Sequence, residues 1–571
     1  MYPPHSALLA DNPSHKMSSI PAPPESSKTE VDLDNPSEEW KEKTPIRPGP
    51  TSRRKSRFGS IYDKKNISDR ADGKVELDHA DCYDKLGFRY STVRKWTILS
   101  VIFVVQCSMN FNASIYANAV GGISKKYDVS KQAARVGQAV MLITYAFGCE
   151  LWAPWSEEIG RWPILQLSLL FTNIWQIPCA LAPNFGTIIV GRALVGLSSA
   201  GGSVTLGMVA DMWEPDDQQY AVAFIVFSSV GGSTLGPIFG GLIETHLNYK
   251  WVFWIQLIFG AVVQVLHFFI VPETRSTILV DREAKRRRKS GEDPNIYGPN
   301  ELKEQRISPS EVLTIWIRPF EMFVREPIVL CLSLLSGFSD ALIFTFLDSF
   351  TPVFAQWDFT VITTGLAFCS ILIGYFIAYF SFFPFIHRDR QVRRKDPDAL
   401  QPERRLYWLL YLAPGLAIGL FGFAWTSLGP PHVHWIAPLI FATLIGIANY
   451  AIYMATVDYM IASYGPYSAS ATGGNGFSRD FLAGIAAMYS GPMFEHIGNK
   501  YKLEWPTTIL GCLAILVTIP IYVFYWKGPA IRKRSKFAQV LASDRKVMTD
   551  RRLSKIDPGG ELAKRPMDHE V

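Results

Sequence analysis

Charge is what this sequence has least of. Only 19% of its 571 residues are Asp, Glu, Lys or Arg, against 48% hydrophobic, and the charges crowd into a few segments. A soluble chain of this length would divide into several domains; long uncharged runs between charged clusters instead describe a polytopic membrane protein. Paired cysteines are missing too. The seven present (Cys82, Cys107, Cys149, Cys179, Cys331, Cys369 and Cys512) form no framework, and six fall in or beside apolar runs, where thiols act as small hydrophobes rather than as disulfides or zinc ligands. The nucleotide-binding pattern G-x-x-x-x-G-K-[ST] is absent, which excludes ATP as the direct energy source. No apolar stretch follows Met1 closely, so no cleavable signal peptide is expected. The net charge of +6 is not a nucleic-acid signal, because its basic clusters lie beside the apolar runs.

Those runs number twelve, at 95–119, 133–154, 163–182, 186–213, 219–246, 251–271, 327–355, 361–386, 406–428, 435–463, 468–496 and 505–526. Each reaches the roughly 20 residues that a membrane-crossing helix needs. The predicted fold is an all-α membrane protein of twelve transmembrane helices in two six-helix bundles. Residues 1–94 are expected to be a disordered tail, poor in apolar residues. Residues 95–271 form the first bundle, 272–326 a central loop, 327–526 the second bundle and 527–571 a second tail. Lysine and arginine flank the spans in both tails, in the loop between spans six and seven (Lys285 to Lys289) and in the loop between spans eight and nine (Arg388 to Arg405). The positive-inside rule places all four, with both termini, in the cytoplasm. Lys125, Lys126, Lys131 and Arg135 oppose it on the first outer loop. The basic runs ending in Ser56 and Ser290 suit a basophilic kinase, where phosphate would reverse the local charge, or a polybasic face near anionic lipid.

Span five reads V-G-G-S-T-L-G-P-I-F-G-G over 230–241. Gly232, Gly236 and Gly240 recur every four residues and stack on one helix face, where a second backbone can approach closely. Pro237 removes a helical N–H and bends the helix. With Gly241 these residues fill every fixed position of G-x-x-x-G-P-x-x-G-G, and the stretch resembles the antiporter motif of the major facilitator superfamily. The halves echo each other: span four ends Val209-Ala210-Asp211 and span ten Thr456-Val457-Asp458, while Gly236-Pro237 on span five matches Gly491-Pro492 on span eleven. Such echoes support two repeated bundles around a central cavity.

The loop between spans two and three, Leu151-Trp152-Ala153-Pro154-Trp155-Ser156-Glu157-Glu158-Ile159-Gly160-Arg161, resembles the superfamily's signature loop. More closely, it is similar to that of the fungal twelve-span drug:proton antiporters, the family of polyamine, cycloheximide and azole exporters. Gly191-Arg192, Pro272-Glu273-Thr274-Arg275, the stretch Tyr464 to Ala471, and Gly528-Pro529-Ala530-Ile531-Arg532 match in order. Trp162 departs from the pattern where a second basic residue is usual, and Gln218 and Gln219 depart where arginine is frequent. The departures weaken the inner-surface charge network that the resemblance implies. That network is a cytoplasmic gate in which Glu157, Gly160, Arg161 and Asp211 hold one conformation and release it during alternation; an exposed surface ion pair is the plainer reading. Asp458 is expected to face the basic loop between spans eight and nine.

Ionisable and amide groups inside spans cost at least ~2.5–3.5 kcal/mol each for the charged ones, so they are kept for use or for pairing. Residue counting places Asn110, Asn112, Asp340, Asn475, Arg479 and Asp480 near mid-depth, with Arg192 somewhat outward, Glu150 nearer the cytoplasm and Asp348 nearer the outside. These nine are the candidate residues for proton coupling and substrate contact, with Asp340 the leading carboxylate for the proton. Phe344, Phe346, Phe350, Tyr450 and Tyr453 either line a site for flat or cationic compounds or simply fill space. His432 and His434 lack a third ligand, so no metal is expected, and no cofactor is implied. The expected activity is proton-coupled export of drugs or other small organic compounds, with polyamines as one candidate cargo, by a monomer in the plasma membrane or else the vacuolar membrane. Proton-coupled uptake of an organic cation or nutrient, and a flux-free sensor on the same fold, are the alternatives.

Overall fold

The computed structural model describes residues 74–77, 79–213, 217–302, 309–395, 401–498 and 500–538. The spans are Thr92–Ile115, Lys131–Glu158, Arg161–Ala180, the pair Phe185–Ser198 and Gly201–Met212, Gln218–His246 and Lys250–Ile270 in the first half. In the second half they are Pro327–Phe354, the pair Val361–Ala367 and Cys369–Lys395, the pair Tyr407–Leu412 and Pro414–Thr426, Ile436–Tyr464, Ser468–His496 and Glu504–Arg534. A bilayer offers backbone groups no water, so each crossing closes its own hydrogen bonds as a helix. Side chains begin several of them: Ser130 accepts from the Ala133 N–H (3.1 Å) and Asn184 from the Thr187 N–H (2.9 Å), satisfying donors that a first turn leaves open. Where span four breaks, Ser168 of span three mends it, donating to the Ser198 carbonyl (2.6 Å) and accepting from the Ala200 N–H (2.9 Å).

Among the described residues, 10 of these helices are long and apolar enough to cross a membrane on composition alone. Spans three and eleven are the exceptions. Span three carries Gln166, Ser168, Thr172, Asn173 and Gln176, all but Gln166 buried. Span eleven begins S-A-S-A-T-G-G-N-G and carries Arg479 and Asp480, buried as well. Their polar faces turn inward to other helices, which is how a bundle accommodates them.

The halves meet along two seams, span two on span eleven and span five on span eight. Glycine makes both close. A Cβ on Gly484 would lie 2.8 Å from Ile143 Cγ1 and 3.1 Å from the Ala139 carbonyl; one on Gly365 would lie 2.6 Å from the Pro237 carbonyl.

The leader departs from expectation. Residues 74–77 and 79–94 are not structureless: Val75–Glu76 (β1) pairs in parallel with Ile296–Tyr297 (β2) of the central loop, in the register Val75 to Ile296. Cys82 and Leu86 then bury against Val280 and Ala284 of the loop helix Ser276–Ser290. The apolar residues responsible are single and widely spaced, which leaves no periodic signal. The central loop is likewise built, with helices Ser276–Ser290 and Pro309–Arg325 inside 272–326. At the other end span twelve runs on to Arg534, eight residues beyond the expected boundary at 526.

The basic run in the loop helix is matched by acids. Arg286 and Arg287 both bond Glu283 (2.9 and 3.1 Å), and Arg288 forks onto Glu301 (2.7 and 2.8 Å). The Arg286 and Arg287 hydrogen bonds hold the Glu283 carboxyl down at about 2. Charge already paired in this way is a poor lipid anchor, which weighs against the polybasic reading at this run, while the run at 53–56 lies outside the described residues. Ser290 is exposed at the end of that helix, its Oγ donating to the Arg287 carbonyl (3.0 Å). Ser56 lies outside the described residues.

Candidate functional site

At the face where the spans begin and end the chain, Arg161 lies at the start of span three. Its Nε donates to Asp211 Oδ2 (3.1 Å), its Nη1 to Ser156 (2.6 Å), and Glu157 stands 3.7 Å away. Arg275, after span six, joins from the other side, 3.6 Å from Asp211 and 3.9 Å from Glu157. Glu273 accepts four backbone N–H groups, those of Arg161, Trp162, Thr274 and Arg275, at 2.9, 3.2, 2.9 and 2.8 Å. Two glycines make the room. Gly160 has φ of +121°, open to glycine alone, and a Cβ there would lie 2.9 Å from Glu273 Cδ; a Cβ on Gly207 would lie 2.6 Å from the Arg161 guanidinium carbon.

The expectation of an exposed ion pair is therefore corrected. Arg161 and Asp211 are 4% and 7% exposed. All the partners come from the first bundle or from the loop directly after it, so the network braces spans two, three and four and does not itself bolt the halves together. Trp162, the residue that departs from the signature, stacks obliquely on Phe268 of span six (5.5 Å).

The second half repeats the device with other residues. Asp458 pairs with Arg405 and also accepts from Gln219 of span five (2.6 Å). Glu403 receives a fork from Arg532 (2.7 and 2.9 Å) plus the Tyr459 hydroxyl (3.3 Å), and a Cβ on Gly528 would crowd Glu403 Cγ at 2.6 Å. Across the halves on this face, Arg390 reaches Asp217 (2.6 Å) and the Tyr450 hydroxyl donates to the Ala223 carbonyl (3.0 Å).

The glycine face of span five lies on span one. A Cβ on Gly232 would be 2.7 Å from the Cys107 carbonyl, on Gly236 2.8 Å from the Ile115 amide nitrogen, and on Gly240 2.6 Å from Asn118 Cγ. Gly241 faces the other way, where its Cβ would be 2.8 Å from the Val361 carbonyl of span eight. One motif thus serves a joint within the first half and a seam between halves.

At mid-depth Arg479 stands between two carboxylates, 3.9 Å from Asp340 of span seven and 3.6 Å from Asp480, with the Tyr453 ring of span ten 3.9 Å from its guanidinium carbon. Glu150 enters from span two, against Gly473 of span eleven. Asp340, Asp480, Arg479 and Glu150 are 7%, 4%, 3% and 5% exposed. Asn475 is buried with neither amide atom bonded. The four charged residues come together, with Asn475 on the same span as Arg479 and Asp480; the other four candidates, Arg192, Asn110, Asn112 and Asp348, do not join them. Arg192 sits apart, held by the Asn112 Oδ1 (2.8 Å), the Asn112 and Gly137 carbonyls (3.2 and 3.3 Å) and the Tyr116 ring (4.6 Å). Among the described residues no carboxylate pairs with it. Asn110 turns to span five beside Gly232, donating to the Gln106 carbonyl (3.0 Å). Of the aromatics, Tyr453 reaches the cluster, whereas Phe346 and Phe350 stack with Phe423 inside the second bundle (5.2 and 5.7 Å).

Toward the opposite face Asp348 closes a second set of contacts between halves. Arg135 Nε of span two donates to it (3.1 Å), Ser490 of span eleven bonds its other oxygen, and Gln132 donates to the Met488 carbonyl (2.6 Å). The lone arginine that breaks the charge rule thus has a partner 213 residues away. Arg135→Ala is expected to loosen this face: a cysteine at Ala487, buried at 1% exposure, should label with an impermeant maleimide about tenfold faster, the weight of ~1.4 kcal/mol. An unchanged rate would deny the pair a closing role.

Two six-helix halves with ion pairs at both faces and a buried charged cluster between them make a membrane carrier. Residues 102–488 match the Major Facilitator Superfamily. The chain is 31% identical over 456 residues to the MFS-type transporter kojT of Aspergillus flavus, covering 78% of this chain and 79% of that one. It is 27% identical over 462 residues to the multidrug transporter FLR2 of Candida glabrata, covering 79% and 77%. In fold it resembles the xylose transporter XylE from E. coli in a partially occluded inward-open conformation, with a TM-score of 0.52 at 16% identity over 76% of this chain and 98% of that one. The chain belongs to the Major Facilitator Superfamily. It is a multi-pass membrane transporter of small molecules, not an enzyme.

Proposed function

We propose that the protein exports small organic compounds from the cytoplasm in exchange for protons, by alternating access, with both termini cytoplasmic and the plasma membrane as its site. The carrying observation is the cluster Asp340, Arg479, Asp480 and Glu150, buried where the two halves meet. Three carboxylates and one arginine at that depth need positive charge from elsewhere, and a proton and a cargo can supply it in turn. Contacts between halves close both faces, Arg135 with Asp348 on one and Arg390 with Asp217 on the other, so opening them alternately gives access from each side. The Arg161 and Glu403 networks brace the halves that move. Relatives named as a multidrug transporter of Candida glabrata and an ascochitine biosynthesis cluster transporter of Didymella fabae support a small organic cargo. Purified protein in liposomes should move a member of a drug and polyamine panel uphill when a pH gradient is imposed, and a protonophore should abolish it. Flux that ignores the gradient would remove proton exchange; no flux with any compound would favour a sensor.

A further inference from the structure

We infer that Glu150 is the seat of the cargo's positive charge, so that the transported compound is an organic cation; this rests on the transport reading above. The central cluster holds three acids and one arginine. Arg479 serves Asp340 and Asp480 together, at 3.9 and 3.6 Å. Glu150 is left over: among the described residues no cation and no hydrogen-bond donor reaches it, though it is 5% exposed. The charge that acts on it is that of Asp480, across the seam between spans two and eleven, and it is repulsive. The other titratable groups around the cluster, Tyr145 and Cys149 on span two and Tyr453 on span ten, are phenols and a thiol, neutral at ordinary pH. Arg192 cannot stand in. Its cradle includes the Gly137 carbonyl, thirteen residues from Glu150 along span two and hence about 20 Å away.

A buried carboxylate without a partner is expensive. The seam is shaped to keep it. A Cβ on Gly473 would sit 2.7 Å from both Glu150 oxygens, so glycine there leaves the carboxylate its place against span eleven. The two sides of this seam belong to different halves, and a ligand held at Glu150 meets each solvent in turn as the halves rock. One positive charge remains fixed at Arg479; the proton and the cargo's charge then come in turn, the cargo's to Glu150. Its partner is then an ammonium, a pyridinium or a similar delocalised cation, with the Tyr453 ring near Arg479 showing that the cluster already accommodates a cation against an aromatic face.

Tetraphenylphosphonium and triphenylphosphine oxide, a cation and a neutral molecule of related shape, test this by equilibrium dialysis on the detergent-solubilised full chain. The cation should bind more tightly. Glu150→Gln should weaken it by at least about tenfold, about 1.4 kcal/mol for the lost attraction between the carboxylate and the phosphonium charge, and change the oxide less than twofold. Gly473→Ala, which displaces the carboxylate without removing it, should shift the same ratio in the same direction. On the unsubstituted protein the cation, and not the oxide, should shield Glu150 from dicyclohexylcarbodiimide, read by peptide mass. Equal weakening of both probes by Glu150→Gln, tighter binding of the oxide, or no shielding would overturn the assignment. Binding in detergent involves no gradient, so failure here is separate from failure of pH-driven flux.

Discussion

Asp340→Asn should abolish pH-driven accumulation of cargo, by at least about a hundredfold, while leaving the protein in the membrane. Asparagine keeps the size and hydrogen-bonding reach of aspartate but cannot take up and release a proton. Asp340 is buried on span seven with its Oδ2 3.9 Å from Arg479 Nε, too far for a hydrogen bond, so the contact is electrostatic and depends on the ionised form. A hundredfold loss corresponds to about 2.8 kcal/mol of coupling free energy. Arg479 keeps Asp480 at 3.6 Å, so the fold should survive and downhill exchange of cargo for cargo should persist. The measurement is uptake into liposomes with and without a pH gradient. Full gradient-driven uptake by Asp340→Asn would remove Asp340 from the proton path and leave Asp480 or Glu150 to carry it.

Gly236→Val is expected to have the second largest effect, on the folded state itself. A Cβ at this position meets Ser114 Oγ and would lie 2.8 Å from the Ile115 backbone nitrogen. Span one would have to move away from span five, at an overpacking cost of about 1–3 kcal/mol, and valine adds two methyl groups beyond that Cβ. The midpoint of thermal unfolding in detergent should fall. Gly231→Ala is the control. Its Cβ would find only the Phe227 ring, at 3.7 Å, and alanine favours a helix over glycine by up to about 1 kcal/mol, so that midpoint should hold or rise. Gly241→Ala presses on span eight at 2.8 Å and should slow transport more than it lowers the midpoint. A Gly236→Val protein as stable as the parent would place that face against lipid.

The spans were legible because a membrane helix is announced by length and apolarity, and ten of them satisfy both measures alone. Spans three and eleven were legible only through turn signals and the six-and-six plan, since their polar faces dilute the apolar count. The Arg161, Glu157 and Asp211 grouping followed from the resemblance, and Asp458 with Arg405 from the paired halves. Pairings across long separations were not readable. Arg135 looked like an exception to a charge rule, and only the fold brings Asp348 to it; Glu403 and Arg532 sit 129 residues apart. Glycines off the motifs were equally silent, because Gly207 and Gly473 matter through what opposes them. Glu273 and Gly528 stood inside matched motifs, and their position there was the one available signal of a role.

The strand pairing between the leader and the central loop has a mechanical consequence. Gly87 lies under the end of span four, where a Cβ would be 2.9 Å from the Asp211 carbonyl, and Leu77, Cys82 and Leu86 share a small core with the loop helix. The polypeptide joining the two bundles is therefore sewn to the first bundle along residues 276–301. A fluorophore on the exposed Lys289 would report the motion of the first bundle alone, and a leader cut back past Leu77 would unfasten that segment from it.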